Sequence, residues 1–153
     1  MQENYQIDRT DRQILELLQE DGRMPFLDIA RKIKVSGGTV HQRVDKLKKL
    51  GIIKGHRIVI DWQKMGLDVS AFLAVHLKES GKLESVVEKM KQLPEIVEVH
   101  YTTGDFALLV KVTTSSIKAF HELLAQKLQK IPGISSTESF VVLDSPIQRE
   151  VKL

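Results

Sequence analysis

The chain has 153 residues, of which 42% are hydrophobic and 28% charged, enough apolar content for a packed core and too much for a disordered chain. The absence of cysteine excludes disulfides, thiolate catalysis and Cys-type zinc sites, and it fits a reducing cytoplasm. A formal net charge of +3 is too small by itself to define a partner.

That charge is not spread evenly. Met1 to Asp61 holds 12 Lys/Arg against 9 Asp/Glu, whereas Trp62 to Leu153 holds 11 against 11. Arg31 to Arg57 contains nine basic residues and one acid, Asp45, for a net of +8 over 27 residues. A basic segment beside a neutral remainder is the pattern of a polyanion-binding module joined to something else; the alternative is a solvated helix face. The polar start, MQENYQIDRTD, is unlike a signal peptide, and no apolar run approaches the roughly 18 residues of a membrane span.

Thr10-Asp11 followed by Ile14, Leu15, Leu17 and Leu18 predicts a capped amphipathic helix ending near Asp21-Gly22. Pro25 stands where a first helical turn tolerates proline, and Leu27, Ile29, Ala30 and Ile33 predict a short second helix. Lys34-Val35 is a tight connection. Ser36 is a good N-cap for a third helix, with Val40, Val44, Leu47 and Leu50 on one face and Gly51 at its end. Three helices with a short turn between the last two make a helix-turn-helix.

At about 100° per residue, with those apolar side chains inward, Gly38, Gln42, Asp45, Lys46 and Lys49 point outward, and Thr39 and Arg43 flank them. The set suited to phosphates and base edges is Ser36, Thr39, His41, Gln42, Arg43, Lys46, Lys49 and Lys54. Gly37 and Gly38 either leave the helix start open to a close backbone approach or make a loose first turn. Arg43→Ala and Lys46→Ala are expected to weaken DNA binding without unfolding the chain.

Ile58-Val59-Ile60 is β-branched and predicts a strand, either a wing or a linker. A short helical turn follows from Trp62, itself expected to be a packing residue, and Gly66-Leu67-Asp68 marks a domain boundary. Beyond it come strands at Ser70–Leu77, Ile96–Tyr101, Phe106–Val112 and Thr137–Leu143. Leu83, Val86, Val87, Met90 and Leu93 define one intervening helix face, and Ile117, Phe120, Leu123, Leu124 and Leu128 a second. Alternation from Ile96 puts Ile96, Glu98 and His100 on one side and Val97, Val99 and Tyr101 on the other. Leu73, Val75 and Leu77 repeat as Leu108, Val110 and Val112, and Leu93-Pro94-Glu95-Ile96 repeats as Ile131-Pro132-Gly133-Ile134.

This doubled unit is the ferredoxin-like βαββαβ plan, with two helices on one face of an antiparallel sheet. The other face carries Phe72 or Leu73, Val97 or Val99, and Leu109. A symmetric sheet-to-sheet homodimer is the simplest cover for it. An RNA-binding sheet of the same topology would show an aromatic-rich strand, which Phe106-Ala107-Leu108-Leu109 lacks.

No catalytic or metal constellation stands out. His41, His56, His76, His100 and His121 show no paired i, i+4 spacing, and no phosphate loop, nucleophile elbow or dinucleotide fingerprint is present. Glu84 with Glu88, and Glu95 with Glu98, read as solvated faces rather than an acid/base pair.

Several motifs together resemble the Lrp/AsnC family of prokaryotic transcription regulators. They are Asp8-Arg9-Thr10-Asp11-Arg12-Gln13-Ile14-Leu15, Asp21-Gly22-Arg23, Ile29-Ala30, and Ser36-x-x-Thr39-Val40-x-x-Arg43-Val44-x-x-Leu47. Gly51-Ile52-Ile53-Lys54-Gly55, Pro94-Glu95-Ile96-Val97 and the Thr103-Gly104-Asp105 turn complete the set. The resemblance implies an α+β chain: a winged-type helix-turn-helix over 1–52, a linker strand and hinge over 53–68, and a ferredoxin-like dimerisation and effector domain over 69–153.

It also implies a cytoplasmic, nucleoid-associated DNA-binding regulator, homodimeric and often octameric, with no cofactor and DNA binding modulated by an amino-acid effector. The effector residues it implies are Thr103, Gly104, Asp105, Thr137 and Ser139. The family's turn usually reads Gly-x-x-Asp; here Ala107 occupies the place of the acid, and alanine cannot pair with an ammonium. Two other classes stay open on the residues alone: an architectural DNA-packaging protein without effector response, and a small-molecule-binding ferredoxin-like protein.

Overall fold

The structure, a computed structural model, describes residues 5–149 and residue 151. The chain forms two units. One comprises the first 59 residues together with the tail from Ile147, and the other is Ile60–Pro146. The division thus falls between Val59 and Ile60.

In the first unit, α1 (Arg9–Glu20), α2 (Phe26–Ile33) and α3 (Gly37–Lys49) pack around Ile14, Ile29, Ala30, Val40 and Val44. The cap of α1 is Asp8 rather than Thr10-Asp11. The Asp8 side chain accepts the Asp11 backbone N–H at 2.9 Å and the Asp11 side chain accepts the Asp8 N–H at 3.2 Å, a reciprocal capping box. Pro25 immediately precedes α2. The turn into α3 needs one left-handed residue, and Lys34 supplies it at φ 59°. Ser36 caps α3, its Oγ accepting the Thr39 N–H at 3.0 Å, and Gly51 at φ 70° follows the helix end. Truncating Ile14 in this core to alanine costs about 2–5 kcal/mol.

The strand expected at Ile58–Ile60 is irregular chain with no ladder partner among the described residues. Ile58 is 76% and Val59 97% exposed. The β-branched residues favour an extended backbone, but a strand also needs a neighbour to take its hydrogen bonds. Trp62, expected to pack, is half exposed at the start of a 3-10 turn over Gln63–Met65.

The second unit runs β1 (Val69–Leu77), α4 (Leu83–Met90), β2 (Ile96–Tyr101), β3 (Leu108–Thr114), α5 (Ile117–Glu122) and β4 (Ile134–Val141). The sheet is antiparallel in the order β2-β3-β1-β4. Leu73, Val75, Leu108, Val110 and Val112 meet Val86, Met90, Phe120, Leu123 and Leu128 from the helices.

Irregularities interrupt both β2 and the helix that follows α5. A bulge between Ile96 and Glu98 puts Ile96 opposite Val112 and Val99 opposite Val110, so both valine partners and both β2 side chains share the core face. Val97 is left outside. The helix continuing α5 passes through a π turn, Leu123–Lys127, and a 3-10 turn, Leu128–Lys130. Five residues separate Leu123 from Leu128, too many for one α-helical face; the wider turn aligns them.

Candidate functional site

Helix α3 separates its residues by face. Val40, Val44 and Leu47 are buried, while Gly38, His41, Gln42, Lys46, Lys48 and Lys49 are exposed. Gln42, Lys46 and Lys49 form an outward stripe of donors along the helix, as the apolar spacing implied. Lys46 Nζ lies 4.0 Å from the centre of the Tyr5 ring, a cation–π contact that leaves the ammonium on the surface. Ser36 and Thr39 are engaged with each other, their hydroxyl oxygens 2.8 Å apart. His41 sits 3.3 Å from Asp45 and edge-on to Phe26. Lys54 is exposed in the irregular segment beyond the helix.

Arg43 differs from these outward side chains. Its Nη1 donates to Asp8 Oδ2 at 2.6 Å and to Asp11 Oδ1 at 2.9 Å, and Asp11 has no exposed surface. Tyr5 Oη donates to the other Asp11 oxygen at 2.6 Å. The hydrogen bond from Arg43 and the one from the Asp11 backbone hold the Asp8 carboxyl below the usual range. Bonds to Asp8 and then Asp11 hold the Arg43 guanidinium charged beyond even its ordinary range. Arg43 therefore ties the third helix to the first. This contact runs against the expectation that its removal spares the fold, because a buried carboxylate would lose its cation.

The second unit contains a cleft of about 290 Å³ at the β2–β3 turn, lined by His76, Leu77, Leu83, Thr102, Gly104, Asp105, Phe106 and Ala107. The turn is closed by the Thr102 hydroxyl donating to the Phe106 carbonyl and by the Thr102 N–H donating to the Ala107 carbonyl at 3.2 Å. Of the implied effector residues, Gly104 and Asp105 line the cleft. Thr103 is on the turn but not in the lining. Thr137 and Ser139 lie on β4 opposite Val75 and Leu73, which places them on the helix-bearing side of the sheet and outside the lining.

His76 escaped sequence reading. It ends the outward row of β1, its Nε2 3.1 Å from Glu138 and its ring edge-on to Phe106. Only the strand register reveals that neighbourhood. Ala107 lines the cleft where the family's acid would stand, so Asp105 is the one acidic residue in the lining.

The helix-free sheet face holds Phe72 opposite Phe140, and Ala74 opposite Leu109. Phe140 is 55% exposed. Leu73 and Val99 are in the core instead, so the open face is built from the alternate residues. Beside the apolar patch, Glu98 bridges Lys111 at 3.3 Å and His100 at 3.1 Å. No helix among the described residues is long and apolar enough to cross a membrane.

A helix-turn-helix with an exposed cationic stripe, joined to a ferredoxin-like unit with a small-ligand-sized cleft, defines a two-domain DNA-binding transcription regulator. Comparison with known proteins places it further. The AsnC-type helix-turn-helix domain matches residues 7–48 and the Lrp/AsnC ligand binding domain matches residues 70–151. The chain belongs to the Lrp/AsnC family.

It is 40% identical to the regulatory protein AsnC of Haemophilus influenzae over 148 residues, covering 97% of this chain and 99% of that one. It is 41% identical to the regulatory protein AsnC of Escherichia coli K12 over 150 residues, covering 98% and 99%. The solved structure of E. coli AsnC superposes with a TM-score of 0.94, covering 97% of this chain and all of that one. These relatives are regulatory proteins.

Proposed function

We propose that the chain acts as a homo-oligomer whose α3 helices enter successive major grooves, and that an amino acid in the Asp105 cleft modulates binding. The observation that carries the DNA reading is the exposed Gln42–Lys46–Lys49 stripe within a segment of +8. Lysines on phosphates give affinity, and Gln42 is the side chain on that stripe suited to read a base edge. A dyad would set two such helices on half-sites about 34–36 Å apart, or multiples of that. Footprinting on genomic fragments tests this: protections phased at one helical turn are expected, and uniform binding to random duplex would favour a packaging role.

Two features support self-association: the Phe72, Leu109 and Phe140 patch on the open sheet face, and the exposed Ile58-Val59-Ile60 segment. For the effector, Asp105 offers a carboxylate to an ammonium, while Leu77, Leu83 and Phe106 offer apolar contact. A thermal-shift screen over the twenty amino acids tests the cleft. A ligand at 100 times its Kd stabilises by about 2.7 kcal/mol, and Asp105→Asn should abolish the shift. Silence across the panel overturns the amino-acid reading.

A further inference from the structure

We propose that Gly38 is a steric clearance position of the DNA interface, bare so that the duplex can close on the first turn of α3. This rests on α3 being the DNA-facing helix. The two adjacent glycines have different surroundings. A Cβ on Gly37 would come within 2.9 Å of Leu27 Cδ2, the far end of an exposed side chain that would have to turn aside. A Cβ on Gly38 would meet only Ser36 Oγ, at an ordinary 3.8 Å. Gly38 also has no positive φ to justify glycine.

Nothing among the described residues therefore asks for glycine at Gly38, and where the backbone suits alanine, alanine is the more stable residue because it restricts the unfolded chain. Its place supplies the missing reason. Gly38 is exposed and continues the outward stripe one turn before Gln42, with Lys46 a further turn on. A side chain there would stand between the helix and the groove that Gln42 and Lys46 address. The space is reserved for the sugar–phosphate backbone or a base edge, which must come within van der Waals contact of the helix.

The test is a size series, Gly38→Ala and Gly38→Leu, in the full chain, with melting temperature and affinity for a footprinted duplex measured together. Gly38→Ala should melt roughly 2 °C higher. It should bind at least about tenfold more weakly, and Gly38→Leu more weakly still. The salt slope should not change, since no cation is lost. Opposite signs for stability and binding are not produced by a merely structural glycine. If Gly38→Ala binds as tightly as the parent while Lys46→Ala and Lys49→Ala bind weakly, the proposal falls and the α3 interface stands. If the lysine variants also bind normally, both fall. A lowered melting temperature for Gly38→Ala likewise overturns the proposal, because it assigns the glycine to the fold.

Discussion

Arg43 Nη1 lies 2.9 Å from a carboxylate oxygen of Asp11, a residue with no exposed surface, and so locks the third helix of the DNA-binding unit to the first. The same nitrogen reaches Asp8 at 2.6 Å. Removing Arg43 leaves a buried charge without its partner. Arg43→Ala should destabilise the helical unit by about 3 kcal/mol, read by thermal or urea unfolding. Arg43→Lys should recover only part of this, since an ammonium lacks the planar fork. A variant as stable as the parent would return Arg43 to the role of a free surface cation.

This pair also marks the limit of what the amino-acid order discloses. Ser36, Val40, Val44 and Leu47 were legible because capping and helical spacing are local, acting over three or four residues. The partner of Arg43 stands 32 residues away at Asp11, and no local pattern connects them. In β2, Ile96 to Tyr101 alternates so cleanly that a bulge left no trace, although it reversed the face of Val99 relative to Ile96. The π turn did leave one, the five-residue step from Leu123 to Leu128, which fits no α-helical face. The turn at Gly104-Asp105 was readable from its composition; the approach of His76 and Leu83 depends on how β1 and α4 end beside it.

Lys46 and Lys49 point to solvent and make no ion pair among the described residues, so their contribution should be to binding. Each alanine substitution should weaken binding to all duplexes alike. Each should lower the slope of log affinity against log salt by about 1 in magnitude, as expected when one phosphate contact is removed. Filter binding or fluorescence anisotropy across a salt series measures this. A sequence-dependent loss would instead place that lysine at a base edge.

The carboxyl of Asp8 is held below its ordinary value of 3.8, first by the Arg43 bond and then by the Asp11 backbone. Its folded value lies below its unfolded one, so the ionised form is favoured by folding. That contribution is complete above the unfolded value and disappears as pH falls through the folded one. Unfolding free energy should therefore decline below about pH 4 more steeply in the parent than in Asp8→Asn. Parallel curves for the two proteins would remove Asp8 from the account.

Phe140 is exposed on the open sheet face, so replacing it should change association more than folding. Phe140→Glu should shift sedimentation toward the single chain while the fold of the isolated unit changes by no more than about 0.5 kcal/mol. An unchanged sedimentation profile would move the proposed dimer contact to another surface.

The open run Ile58-Val59-Ile60 has one more consequence. If that run gains its strand partner from a second copy, its backbone hydrogen bonds are made only when two chains meet. Folding of the linker and association then become a single equilibrium, governed by mass action. Melting temperature should climb with total protein, and dilution alone should loosen the segment that joins the two units. The abundance of the regulator would then be one of the variables setting its own structural state.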